Sequence, residues 1–163
     1  MALLNAPEYD ARKESLKKNL LIGAGITVVV LILLTLGGYV AGHGWLFTNL
    51  PAEHKVDKFF TALEAKDYPK AYAIYTNDSD WQQHPDKHKD YPLDRFTEDW
   101  TTESPVKAPI TSHHVDISRT DGSGTFGTGT IVAVRINGDK KLFMWVERSD
   151  GSLTEPAPHE LQY

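Results

Sequence analysis

"VDKFFTALEAKDYPKAYAIYT", residues Val56 to Thr76, encodes two helices and the break between them. Val56, Phe59, Phe60 and Leu63 recur at i, i+3, i+4 and i+7, the spacing that gathers side chains on one buried helix face. Glu53, Lys55, Asp57, Lys58 and Glu64 fall opposite, which predicts a wet face. The pattern ends near Lys66. Asp67 then offers a side-chain acceptor for a new helix cap, and Pro69 fits a first turn where no backbone N–H is needed. Ala71, Tyr72, Ile74 and Tyr75 supply the contacts of the second helix.

Working outward, "NLP" at Asn49 to Pro51 marks the start of the first of these helices. A third, shorter helical pattern is set by Leu93, Phe96 and Trp100. After Pro109 the period changes to two. Val115 and Ile117 share one parity, with His114, Asp116 and Ser118 on the other, so this strand is expected to have one wet face. Phe126, Val132, Val134 and Ile136 align on one side of the next strand, where Gly127 and Gly129 mark a bend or a close backbone approach. Asn137-Gly138 is a strong hairpin signal before "KKLFMWVERS" returns. The proline-interrupted tail "LTEPAPHELQY" allows at most an edge strand. Helices first and strands afterwards read as α+β, with helices on one face of a curved antiparallel sheet.

Upstream of all this, Leu20 to Gly42 contains 23 residues without a charge. At 1.5 Å rise per residue, roughly 20 apolar residues cross a bilayer core. The run exceeds the roughly 7–15 apolar residues of a cleaved signal peptide, so it reads as an uncleaved anchor. Arg12, Lys13, Lys17 and Lys18 precede it, against Lys55 and Lys58 after it, which places the amino terminus in the cytoplasm. The expected divisions are a cytoplasmic segment at 1–19, a transmembrane helix at 20–42, a linker at 43–51 and an extracytoplasmic domain at 52–163. In a bacterium that means the inner membrane, with the domain periplasmic or extracellular. Gly38 and Gly42 have the GxxxG spacing of a helix-packing face.

Composition closes several routes. The chain has no cysteine, which excludes disulfides, thiolate metal sites and a cysteine nucleophile. Residues 43–163 carry 13 Lys and Arg against 19 Asp and Glu, a net of minus six, and no basic stripe for nucleic acid is visible. "DGSGTFGTG" joins two strands, whereas phosphate-binding glycine loops open a helix, so no cofactor is expected.

Val56–Thr76, of the form v-x-x-F-f-x-A-L-x-x-x-D-Y-x-x-A-Y, together with the strand "GTIVAVRING" at Gly129 to Gly138, resembles small extracytoplasmic members of the NTF2-like, cystatin-like superfamily. The resemblance covers most of residues 52–155 and implies helices and a concave sheet around a conical pocket, with an Asp, His or Tyr at its mouth in the family's enzymes. Nine of the 17 aromatic residues fall between Phe59 and Trp100, so they either line that cone or fill it.

Two histidine sets are the chemical candidates. His84 and His88, four apart in "DWQQHPDKHKDYP", could share a metal if helical, with Asp80, Asp90 or His114 completing the set. HExxH is absent, so the bland reading is a polar connection capped by Asp80 and Asp90. His113 and His114 face opposite sides of a strand, and His114 with Asp94 or Asp116 could act as a base and its orienting carboxylate. The leading expectation is a non-catalytic, membrane-anchored binding domain, an accessory or assembly subunit of a larger membrane protein complex, with Trp81 and Trp100 as an interaction surface. The alternative is a pocket protein that takes a small apolar ligand, or an isomerase-like or dehydratase-like enzyme using His114 or Asp94.

Overall fold

The computed structural model describes residues 11–45, 47–122 and 127–163. The chain divides into two compact units, Met1–Gly37 and Gly38–Tyr163. The described part of the first is most of α1 (Ala11–Val40), a helix of 30 residues, long and apolar enough to cross a membrane and with no residue buried.

The second unit is α+β. Helices α2 (Asn49–Glu64), α3 (Tyr68–Tyr75) and α4 (Leu93–Trp100) precede strands β1 (His113–Asp121), β2 (Gly129–Ile136), β3 (Lys140–Glu147) and β4 (Leu153–Thr154). The strands form one open antiparallel meander in the order β1-β2-β3-β4. The α2–α3 break follows the local chemistry. Asp67 accepts from the Lys70 N–H at 3.2 Å, and Pro69 occupies the first turn of α3.

Val56, Phe59, Phe60 and Leu63 meet Val132, Val134, Ile136 and Met144 in the main core. The sheet's other face is also covered. Ile131, Ala133 and Trp145 pack there with Ala157 and Leu161 of the tail, and Ile117 and Phe143 lie against them. The tail is therefore more than the two-residue edge strand β4. It crosses the back of the sheet, tied by the Ala157 N–H to Phe143 carbonyl bond at 2.8 Å and by Tyr163 Oη donating to Asp116 at 2.7 Å. With both faces buried, β2 reads "TIVAVRI" rather than a strict alternation.

Two expectations about wet faces are corrected. In β1 the pairing register shifts between Val115 and Ile117, a bulge at Asp116. One extra residue reverses inside and outside, so Val115 packs on the helical side, Ile117 on the tail side, and Ser118 is buried under α2. Glu53, assigned by periodicity to the wet face of α2, is also buried, because Ser118 and His43 meet it there.

The turn at Asn137-Gly138 forms as expected, with both residues at positive φ. Asn137 has a second duty that its spacing does not reveal. Its side chain accepts from the Thr111 and Ser112 N–H groups and donates to the Pro109 carbonyl, so the hairpin fixes the chain entering β1. The expected alignment of Phe126 lies outside the described residues.

Candidate functional site

The space between helices and sheet is the first place to look for a site, and it is filled. Phe59, Phe60, Tyr72 and Phe96 are fully buried, and Trp100 closes their cluster. Phe59 lies 4.9–6.2 Å, ring centre to ring centre, from Phe60, Tyr75, Phe96 and Trp100. Edge-to-face and tilted contacts of this kind are what aromatic quadrupoles prefer in a packed core.

His114 is on the outside, its side chain 77 % exposed and 3.9 Å from Asp116. Asp116 is already engaged by Arg135 at 3.0 Å and by Tyr163. Asp94 is exposed on the first turn of α4. The histidine that does turn inward is His113. Its Nδ1 is 2.6 Å from Glu64, its Nε2 is 3.1 Å from Asp57, and its ring lies over Phe60. The ring thus links β1 to α2 through two carboxylates.

His84 and His88 do come together, but on turns rather than on a helix, and around a residue that spacing did not select. The carboxylate of Asp78, almost buried, faces His84 Nδ1 at 2.9 Å, His88 Nε2 at 3.0 Å and Lys87 Nζ at 3.5 Å. The connection is thus centred on Asp78, and not on Asp80 or Asp90. Among the described residues no group of three or more His, Asp or Glu is arranged to hold a metal ion. The hydrogen bond from His88, followed by the bond and charge of His84 and the charge of Lys87, holds the Asp78 carboxyl well below its ordinary value of 3.8, against the opposing effect of burial.

A group depressed in this way contributes stability above its unfolded-state pKa, and that contribution is lost as pH falls through the folded value. The difference in Tm between wild type and Asp78→Asn is therefore expected to be constant near pH 5 and to shrink from about pH 4 towards pH 2. A difference independent of pH across that interval would remove the carboxylate from the account.

A third polar cluster ties Gly42, His43 and Asn49 to Glu53 and Ser118. Glu53 receives Ser118 Oγ at 2.5 Å and lies 2.8 Å from His43 Nδ1, while Asn49 donates to Ser118 Oγ at 3.0 Å. The Ser118 N–H donates to the Gly42 carbonyl at 2.9 Å. Gly42 has φ +87°, and a β-carbon there would lie 2.7 Å from Ile117. Since α1 ends at Val40, Gly42 does not share a helical face with Gly38, and its glycine serves this contact. The residues expected to form a linker are thus largely built into the second unit.

In all three clusters donors and acceptors are matched, and no buried side-chain N or O among the described residues lacks a partner. Trp100 is core, only 6 % exposed, and Trp81 is half-buried with its ring against Tyr72. The exposed large apolar side chains of the second unit lie elsewhere. Among the described residues beyond the end of α1 they are Trp45, Phe47, Leu50 and, at the terminus, Tyr163. The signal for the first three was present in "GWLFTNL", directly after the apolar run. Comparison with protein-family models, with curated proteins and with solved structures finds no match for this chain.

Proposed function

We propose that the chain is a single-pass membrane protein whose NTF2-like domain binds a protein partner without catalysis, as an accessory or assembly subunit of a larger membrane complex. The observation that carries this reading is the pairing of a filled interior with an exposed apolar segment. The family's enzymes need an open cone, and here aromatic side chains occupy that space. Trp45, Phe47 and Leu50 instead present apolar surface to the outside, and aromatic anchors of this kind dominate protein contacts. Their position directly after the span in sequence suits contact with another membrane subunit or with the headgroup region. The excess of basic residues before the span supports a cytoplasmic amino terminus and a periplasmic or extracellular domain.

Full-length tagged protein purified from its native membrane in mild detergent is expected to bring down a stoichiometric membrane partner, identified by mass spectrometry. In Trp45→Ala/Phe47→Ala, recovery of that partner is expected to fall at least about tenfold, because both side chains are exposed and their loss removes contact without opening the core. Unchanged recovery would remove this segment as the contact surface. Elution of the protein alone would remove the subunit reading itself.

A further inference from the structure

Four non-glycine residues among those described have left-handed backbone conformations: Lys66, Asn77, Lys107 and Asn137, with φ of 51–57°. The two asparagines have a visible reason. Asparagine tolerates this region, and both side chains hold neighbouring segments, Asn77 by bonding Lys55 and the Asp150 carbonyl, Asn137 by fixing residues 109–112. The two lysines have none. Lys66 occupies the position after α2 at which the Asp67 N–H reaches back to the Ala62 carbonyl at 2.9 Å, the place where helices most often use glycine. Lys107 closes a turn onto the Ser104 carbonyl at 2.8 Å. Neither ammonium has a hydrogen bond or ion pair among the described residues.

Both lysines line the same cavity. It has a volume of about 610 Å³, within the range of small-molecule sites, and lies where the C-terminal ends of α2 and α4 meet the segment leading to β1. Leu63, Tyr68, Trp100 and Ile110 give it apolar and aromatic walls, and Thr101 and Thr102 line it after the end of α4. Its one acidic lining residue, Glu103, lies 3.9 Å from Arg95. Two cations held in a conformation that glycine would adopt more easily, over an apolar floor, match a ligand with a negative head and an apolar body.

We propose that this cavity binds a small organic carboxylate with an aromatic or aliphatic body, its carboxylate held by Lys66 and Lys107. The site is separate from the exposed Trp45, Phe47 and Leu50 and does not depend on any protein partner.

The test uses the full chain in nanodiscs, with 3-(4-fluorophenyl)propionate as probe, ¹⁹F line broadening as readout and empty nanodiscs as blank. Saturable binding is expected, with the matching alcohol, 3-(4-fluorophenyl)propanol, at least about tenfold weaker. Lys66→Gln/Lys107→Gln, which keeps the backbone demand and removes the charge, is expected to lose the preference for the acid. Lys66→Gly/Lys107→Gly is expected to lose acid binding at least about tenfold and to raise Tm by roughly 2–4 °C, because glycine adopts both φ values freely. Equal affinity for acid and alcohol, unchanged acid binding in either double variant, or no saturable binding up to about 10 mM would overturn the proposal. So would a fall in Tm on the glycine substitutions, which would give the lysines a structural role.

Discussion

Phe59→Ala is expected to cost about 3–5 kcal/mol, a large share of the roughly 5–15 kcal/mol by which a domain is stable. Phe59 is fully buried, and its ring has four aromatic neighbours drawn from α2, α3 and α4. Truncation removes its own apolar burial and leaves a void that rings already fixed by one another cannot close. Each edge-to-face partner adds about 0.5–1.5 kcal/mol beyond area, and those contacts are lost as well. Urea unfolding of the reconstituted chain, followed by tryptophan fluorescence, would report the loss as a lower midpoint with an unchanged slope. The result also bears on function. A cost below about 1 kcal/mol would mean that the interior is loose at this position, and the open-pocket alternative would return.

Gly129→Ala is expected to have the next largest effect, about 2–3 kcal/mol, for the opposite reason: there is no space to fill. A β-carbon on Gly129 would lie 2.2 Å from Cζ2 of Trp145 and 2.5 Å from the Val146 carbonyl oxygen. The indole is not free to swing away. Its Nε1 donates to Glu147 at 3.1 Å, and the ring is part of the cluster beneath the tail. The substitution must therefore shift backbone or unseat Trp145. In a double-mutant cycle with Trp145→Leu, the penalty of Gly129→Ala is expected to fall by about 1 kcal/mol or more, since the smaller side chain removes the nearest clash. Strict additivity of the two substitutions would exclude the indole as the cause.

Much of the fold was legible because it rests on local chemistry. The i, i+3, i+4, i+7 recurrence from Val56 to Leu63 reports a buried helix face wherever that helix lies, and Asp67 with Pro69 resets the chain within its own four residues. Asn137-Gly138 supplies two positive φ values with no help from elsewhere. The site candidates fared differently because each depended on a register or a partner. The bulge at Asp116 reverses which parity of β1 is buried, so Ser118 goes in although alternation from Val115 places it out. His113 rather than His114 turns towards α2, where carboxylates on that helix receive it. Periodicity could not mark Asp78 as the centre for His84 and His88, since turns and not a helix bring the three together.

By itself the sequence determined an apolar helix long enough to span a membrane, the order of helices and strands, the residues of the main core and the position of the turns. Those follow from hydrophobic period, capping and backbone preference, which act over a few residues. Only the tertiary structure decided that aromatic rings fill the interior, that the tail covers the second face of the sheet, that Gly42, His43 and Asn49 are bound to Ser118 and Glu53, and that Lys66 and Lys107 line one cavity. Each of these joins different elements of the fold or sets how closely side chains pack, and contact between elements and packing density are properties of the folded chain that no local pattern contains.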